Sequence, residues 1–169
     1  DEWLLYKDCI RMIRRLGYKV SEQVLNSEAW NVPQARDRLF VIGTLGRRSI
    51  RVHDPKRFTL RPMGECVDWD DGEWMPFSEA QGPVMREQLR KAARILGDQP
   101  GAILLVSHRP VFTADQPLRT MTTKDQFRWV YRKRFRYPTA REAFALMGFP
   151  ADYVIPDHVA KHRTIAWAL

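Results

Sequence analysis

Cysteine and long apolar runs are both scarce in this sequence. Its 169 residues include two cysteines, Cys9 and Cys66, which have neither the spacing of a metal site nor that of a disulfide framework. This scarcity argues against a disulfide-stabilised secreted domain and favours a reducing compartment, the cytoplasm. No apolar run approaches the length of a membrane span, and no signal-peptide core is evident.

Acidic residues are outnumbered by basic ones. The chain has 28 Lys and Arg against 20 Asp and Glu, which gives a net charge of +8. Such an excess favours a polyanionic partner, most commonly nucleic acid. With 44% apolar and 28% charged residues, the composition is that of a soluble globular protein with room for one domain and a small lobe. Because the sequence starts at Asp1, we expect a fragment or a processed piece.

The first 45 residues alternate helix and strand signals. A helix is predicted from about residue 3 to residue 16, closed by Gly17 in a left-handed conformation. Residues 18–25 read as a strand that ends at a polar turn. The apolar stripe of the helix consists of Leu5, Cys9, Met12, Ile13 and Leu16. This order predicts an α/β fold with a covered sheet.

The stretch Asn31–Thr44 joins a turn to a polar ladder and then to an apolar run. Gln34, Arg36 and Arg38 are two residues apart, so in an extended chain their side chains share one face. The apolar run 39–42 supplies both faces, which predicts a strand buried on both sides. Two interpretations of the arginines stay open: pairing with nearby carboxylates, or a planar, donor-rich site for an anion or a base edge.

Residues 46–113 have a different composition, which predicts a small, loop-rich lobe. Basic residues are strung among prolines, and an acidic stretch from Glu65 to Glu73 contains Trp69 and Trp74. That stretch predicts a solvated turn pinned by the tryptophans, with a metal site as the less favoured alternative. A helix over 84–96, closed by Gly97, and a short strand over 102–106 complete this part.

Residues 116–125 form a hydroxyl-rich segment flanked by cations. Hydroxyls, backbone amides and cations together favour contacts with phosphate, whereas an edge strand of threonines would need no ligand. The candidate phosphate-contacting residues of this segment are Arg119, Thr120, Thr122, Thr123 and Lys124.

Basic and aromatic residues alternate between Arg128 and Arg136. This mixture is typical of a nucleic-acid groove, and a solvated hairpin face explains it equally well. Arg132 and Arg134 are the candidate nucleic-acid contacts here.

The last part begins with a capping-box pattern, Thr139 with Glu142 three residues later, and predicts a helix that ends at Gly148-Phe149-Pro150. A final helix is predicted over 158–169. His158 and His162 within it have metal-like spacing, but without an evident third ligand they predict a surface pair.

Taken in order, these segments resemble the C-terminal half of a DNA (cytosine-5) methyltransferase. The resemblance rests on Leu16-Gly17-Tyr18, Asn31-Val32-Pro33-Gln34-x-Arg36-x-Arg38, Pro117-Leu118-x-Thr120-x-Thr122-Thr123-Lys124-Asp125, Thr139-x-Arg141-Glu142 and Gly148-Phe149-Pro150. The Pro-Gln-x-Arg-x-Arg element is similar to the eighth conserved motif of that family, and the Thr139 to Pro150 element to the ninth. Residues 46–113 match in position alone, as a target-recognition domain does.

The resemblance implies a reaction and a set of roles. Such enzymes flip a cytosine out of duplex DNA, attack its carbon 6 with a cysteine thiolate and methylate carbon 5 from S-adenosylmethionine. Arg38 would hydrogen-bond the carbonyl oxygen of the flipped cytosine, Arg36 would position the catalytic glutamate, and Gln34 would order the loop. Thr120 would lie against the phosphate beside the flipped base, and the lobe over 46–113 would read the target in the major groove.

Several parts of the family pattern are missing. Cys9 follows Asp8 and Cys66 follows Glu65, so neither matches the Pro-Cys nucleophile, and the sequence has no Glu-Asn-Val and no Gly-rich cofactor loop. The family's last motif would begin at Ala168-Leu169, where the sequence stops. We therefore expect a segment cut from both sides, or one product of a split enzyme.

The resulting prediction is an α/β fold: the C-terminal part of a Rossmann-like S-adenosylmethionine-dependent methyltransferase, with residues 1–45 in the catalytic domain, 46–113 as the target-recognition lobe and 114–169 contacting DNA and returning to the catalytic domain. Alone it would be inactive, and an N-terminal half, in cis or as a separate subunit, would bind most of the cofactor. A bacterial or phage protein associated with the nucleoid, in a restriction–modification or solitary setting, is implied. The alternatives are a stand-alone DNA-binding or regulatory module descended from such enzymes, and a structural domain whose charge is incidental.

Overall fold

The chain folds into three α-helices, three short 3-10 helices and nine strands over the residues that the structure describes. The structure is a computed structural model and describes residues 2–53, 55–56, 58–70, 72–104, 111–121 and 127–156. The helices are α1 (Glu2–Arg15), α2 (Gly82–Leu96) and α3 (Ala140–Leu146). The strands are β1 (Tyr18–Asn26), β2 (Gln34–Ala35), β3 (Asp37–Leu45), β4 (Met75–Pro76), β5 (Gly101–Leu104), β6 (Val111–Thr113), β7 (Leu118–Arg119), β8 (Phe127–Tyr131) and β9 (Arg134–Arg136).

The core lies on both faces of an antiparallel five-stranded sheet of order β4-β9-β8-β5-β6. Alternate side chains of a strand point to opposite faces, so β8 sends Trp129 to one side and Val130 to the other. Val130 packs with Leu89 of α2, whose apolar stripe covers that face. Trp129 packs with Leu118 and with Leu146 of α3 on the opposite face. Helices on both sides of this sheet therefore give the second half of the chain a closed core.

The first half is a two-stranded antiparallel ribbon of β1 and β3 with α1 against it, and it is much more open. The expectation that β3 is buried on both sides is wrong: Leu39, Phe40 and Val41 are 48%, 45% and 39% exposed. One face of the ribbon contacts the segment around Val52, which exchanges two hydrogen bonds with the side chain of Gln23. Among the described residues, no second layer covers the apolar side chains that the pattern required to be buried.

The stripe predicted for α1 is also wrong. The helix buries Ile10, which is 5% exposed, and ties itself to β1 through hydrogen bonds from Tyr6 and Arg14 to Glu22. The predicted stripe members Leu5, Met12 and Leu16 are 69%, 63% and 67% exposed. Of the predicted stripe, Ile13 is half-buried and the other four residues are exposed, so Ile10 is the main apolar anchor of the helix.

The two halves are joined by a short parallel pair, β2 with β7. Gln34 lies opposite Leu118 and Ala35 opposite Arg119, and the Leu118 N–H donates to the Pro33 carbonyl at 3.0 Å. The predicted domain boundaries, at 45/46 and 113/114, remain predictions. The five-stranded sheet contains strands from both sides of the boundary at 113/114.

Other expectations have mixed outcomes. The capping box of Thr139 and Glu142 is confirmed, and Gly17 and Gly148 adopt φ of 92° and 85°. The Trp69 and Trp74 rings, 6.3 Å apart, pin the turn between them. Residues 158–169, with His158 and His162, lie outside the described residues. Within the described ranges, no helix is long and apolar enough to span a membrane.

Candidate active-site strand and DNA interface

Segments far apart in sequence meet around β2. Besides the pairing with β7, the Thr120 hydroxyl donates to the Ala35 carbonyl at 2.9 Å, a contact across 85 residues. On another side, a Cβ on Gly148 would come within 3.1 Å of Val32 Cγ2, so the end of α3 packs closely on the turn that precedes β2. The structure therefore assembles the three predicted motif regions, 31–38, 117–120 and 139–150, at one place.

The local chain path is set by two residues that the sequence analysis took only as a strand boundary. Asn26 Oδ1 accepts hydrogen bonds from the backbone N–H groups of Glu28, at 3.0 Å, and Arg36, at 3.2 Å. Ser27 donates its backbone N–H to the Arg36 carbonyl at 3.0 Å and its hydroxyl to the Gln34 carbonyl. The signal was an Asn-Ser pair, since both side chains commonly bond nearby backbone. The sequence did not indicate that their partners would be the backbone groups of Gln34 and Arg36, up to ten residues away.

The polar ladder is not one continuous strand. β2 ends at Ala35, Arg36 lies between strands, and β3 starts at Asp37, where pairing passes from β7 to β1. Gln34 is buried, Arg36 half-buried and Arg38 exposed, so solvent access increases along the three positions. The break arises because β2 and β3 pair with different partners.

Arg36 and Arg38 line a common cavity of about 340 Å³. Its apolar walls include Trp30, Val32 and Phe40. Partial burial, and then the neighbouring Arg38 guanidinium, lower the pKa of Arg36. An apolar cavity carrying two guanidiniums favours a planar ligand with oxygen acceptors or negative charge.

Gln34 is placed differently from the two arginines. It is 1% exposed, does not belong to the described cavity lining, and its Nε2 has no hydrogen-bond partner among the described residues. A buried amide nitrogen without an acceptor is costly, and the role of Gln34 in ordering the loop stays a prediction.

The other predicted DNA contacts are only partly brought together. Arg119 is exposed beside Ala35, one residue from Arg36. The Thr120 hydroxyl donates its hydrogen bond to the Ala35 carbonyl. The predicted contact of Thr120 with a phosphate stays a prediction, and it would need the backbone N–H or a rotated hydroxyl as donor. Thr122, Thr123 and Lys124 lie outside the described residues.

The basic residues between 128 and 136 separate into two groups. Arg132 and Arg134 are exposed at the β8–β9 hairpin, as a DNA contact requires. Arg128 and Arg136 are 5% and 4% exposed and serve the interior: the Arg128 guanidinium lies 3.7 Å from the centre of the Tyr137 ring. Their alternation with aromatics reflected strand packing and not one continuous basic face.

A buried ion pair joins α3 to β9 and was missed by the sequence analysis. The Glu142 carboxylate accepts from Arg136 Nη1 and Nη2 at 2.9 and 2.5 Å, from Trp129 Nε1 at 2.9 Å and from the Thr139 N–H at 2.8 Å. Arg136 Nη2 also donates to the Asp68 carbonyl at 2.8 Å. The capping box identified Glu142, but nothing in the local sequence indicated that Arg136 would reach it.

With this geometry in view, comparison with known proteins relates the chain to a family. Residues 3–65 match the C-5 cytosine-specific DNA methylase family. That range contains α1 except for its first residue, the β1–β3 ribbon and both cavity arginines, so the resemblance is confirmed over this part of the chain.

Individual proteins extend the similarity. The chain is 28% identical over 160 residues to the type II methyltransferase M.MspI of Moraxella sp and 25% identical over 158 residues to M1.HphI of Haemophilus parahaemolyticus. These matches cover 92% and 83% of the chain but 36% and 41% of the relatives, so the chain spans about two fifths of their length. Both relatives are type II methyltransferases by name, so these matches support a methyltransferase relationship for this chain.

A solved structure shows a similar fold. The Entamoeba histolytica methyltransferase EhMeth aligns with 96% of this chain and 52% of its own, with a TM-score of 0.58 and 14% sequence identity. At this identity the likeness concerns the mixed α/β fold.

The cavity does not suit S-adenosylmethionine, the methyl donor that the family implies. Its described lining has two guanidiniums and no carboxylate, whereas this cofactor carries a sulfonium and an ammonium. The two guanidiniums would attract only the carboxylate of the cofactor, so the described lining offers nothing to its sulfonium and its ammonium. Among the described residues there is also no group of three His, Cys, Asp or Glu side chains that could hold a metal ion.

Proposed function

We propose that this chain is the DNA-recognition and arginine-bearing portion of a DNA cytosine-5 methyltransferase, which transfers a methyl group from S-adenosylmethionine to carbon 5 of a flipped cytosine in double-stranded DNA. The observation that carries the proposal is the convergence of residues 31–38, 117–120 and 148 around β2, beside a cavity that Arg36 and Arg38 share. A bacterial cytoplasmic setting follows from the same proposal.

The two arginines have separate roles in the proposed reaction. Arg38 is exposed at the cavity and can donate to the carbonyl oxygen of the flipped cytosine, where negative charge grows as the ring is attacked. Arg36 is half-buried beside another cation, a position that an incoming carboxylate would stabilise. That carboxylate is the catalytic glutamate, and it comes from the part of the enzyme that also carries the cysteine nucleophile and the cofactor site.

The uncovered apolar surface supports a partner polypeptide. The side chains that are 39–72% exposed include Leu5 and Met12 of α1, Leu16 directly after it, and Leu39, Val41 and Leu45 of β3. Apolar surface spread over a helix and an adjacent strand is a feature of a cut domain core. We assign it to the remainder of the catalytic domain, in cis or as a separate subunit.

The proposal is tested by methyl transfer to duplex DNA, measured for this chain alone and together with the remaining catalytic segment. Transfer is expected only with both. Met12→Glu is the variant that targets the assembly, since an exposed site leaves this chain's own stability within about 0.5 kcal/mol of wild type while a charge on the covered surface weakens association. Transfer by the chain alone, or full activity of the Met12→Glu assembly, would contradict the proposal.

A further inference from the structure

The tip of the β8–β9 hairpin has an unfavourable backbone for the residues it contains. Tyr131 pairs with Arg134, so Arg132 and Lys133 are the central residues of a two-residue turn. Their φ angles are 47° and 58°. A turn with two positive φ angles is the preferred hairpin connection, but it normally takes Asn-Gly, because Cβ crowds the backbone in the left-handed region. Two long basic side chains are therefore kept where Asn and Gly would fold with less strain.

The register of β8 and β9 fixes the length of the turn at two residues. Val130 and Phe135 are paired with each other and buried in the core at 1% exposure each, and Trp129 pairs with Arg136, which is held by Glu142. Register on both strands is thus fixed by the core within a few residues of the turn. Strain at the tip cannot be relieved by sliding the strands.

The cations at the tip are exposed, and one of them, Arg132, lies against an aromatic ring. The Arg132 guanidinium lies 4.8 Å from the centre of the Tyr131 ring, and that ring meets Trp69 and Trp74 edge to face at 6.1 Å each. Lys133 and Arg134 are also exposed, and among the described residues no ion pair joins any of the three to a carboxylate. The tip therefore presents unpaired positive charge from a preorganised support.

We propose that this tip, Arg132-Lys133-Arg134, binds the DNA phosphate backbone and that the strained turn is retained for its charge. The inference rests on the proposed function, adds Lys133 to the DNA contacts and assigns them to phosphate and not to base edges. Backbone strain that a more favourable sequence would remove is commonly kept at functional sites. Cations that contact phosphates position a protein on duplex DNA without reading its sequence.

The test compares two double variants in the protein assembled with its remaining catalytic segment. Arg132→Asn with Lys133→Gly removes both charges and relieves the turn, whereas Arg132→Gln with Lys133→Gln removes the charges and keeps the strain. Affinity for a 20-base-pair duplex of arbitrary sequence is measured by fluorescence anisotropy across a salt series, and Tm is measured for each variant. A matched control, Arg90→Gln with Lys91→Gln, removes two exposed cations from α2.

Both tip variants are expected to bind DNA more weakly, with the slope of log K against log salt reduced by about 0.9–1.8. Tm is expected to rise by roughly 2–8 °C for the Asn-Gly variant and to stay near wild type for the Gln-Gln variant. The control is expected to change the salt slope much less. Unchanged DNA affinity of the tip variants, an equal loss in the control, or no rise in Tm for Asn-Gly would overturn the inference. If the wild-type assembly itself shows no salt-dependent binding to duplex DNA, the proposed function fails instead.

Discussion

Removing Arg136 is expected to destabilise the fold more than any loss of a surface charge. Arg136 and Glu142 have side chains that are 4% and 8% exposed, and two guanidinium nitrogens contact the carboxylate at 2.9 and 2.5 Å. Arg136→Met leaves a buried carboxylate without its counter-charge, and breaking such a pair costs about 3–5 kcal/mol. The Asp68 carbonyl loses a donor as well, which adds to the cost.

The assay is equilibrium unfolding in urea, since the midpoint and slope together give the free energy of unfolding. The control is Arg90→Met, whose partner Glu87 lies 3.7 Å away with both side chains about half exposed, and which should cost less than about 1 kcal/mol. The double variant Arg136→Met with Glu142→Leu should be less destabilised than the sum of the single changes, because no charge remains buried alone. A loss below about 1 kcal/mol for Arg136→Met, or strict additivity in the cycle, would refute the reasoning.

Three further predictions concern the site and the thiols. Arg38→Ala in the assembled enzyme should lower turnover more than DNA affinity, because its donors act on charge that develops during the reaction; equal loss of both in steady-state and binding assays would contradict the assigned role. Asn26→Ala should cost about 0.5–2 kcal/mol in urea unfolding while Asn26→Asp keeps the Oδ1 acceptor for Arg36 and most of the stability, so equal losses would show that the acceptor is unimportant. Burial raises the pKa of the Cys66 thiol, so mass-spectrometric alkylation at neutral pH should modify exposed Cys9 several times faster, and reaction at Cys66 should catch up as pH increases; faster modification of Cys66 would be inconsistent with the structure.

Local signals in the sequence predicted the ends of helices well, but they predicted the burial of side chains poorly. Helix ends at Gly17 and Gly97 and the Thr139 capping box depend on a few neighbouring residues, so they can be read directly. Burial of β3 and of the Met12 side of α1 depends on what packs against them. Apolar periodicity predicts that a surface is buried, but it does not indicate which polypeptide covers that surface.

In the site, too, features that depend on neighbouring residues were predicted, and features that depend on distant residues were not. The spacing of Arg36 and Arg38 indicated a shared position, and both line one cavity. The bond from Thr120 to Ala35 and the pair of Arg136 with Glu142 arise from tertiary packing. In the same way, alternation of basic and aromatic residues did not distinguish buried Arg136 from exposed Arg132, because Arg136 is held by the distant residues Glu142 and Asp68 whereas Arg132 lies in the turn.

The central claim is most directly tested by identifying the methylated nucleoside that the assembled enzyme makes in duplex DNA. Digestion of the DNA and mass spectrometry distinguish methylation at carbon 5 of cytosine from methylation at the exocyclic nitrogens of cytosine or adenine. We predict 5-methyldeoxycytidine, with the amount strongly reduced by Arg38→Ala. Formation of N4-methyldeoxycytidine or N6-methyldeoxyadenosine in its place would contradict the proposed function.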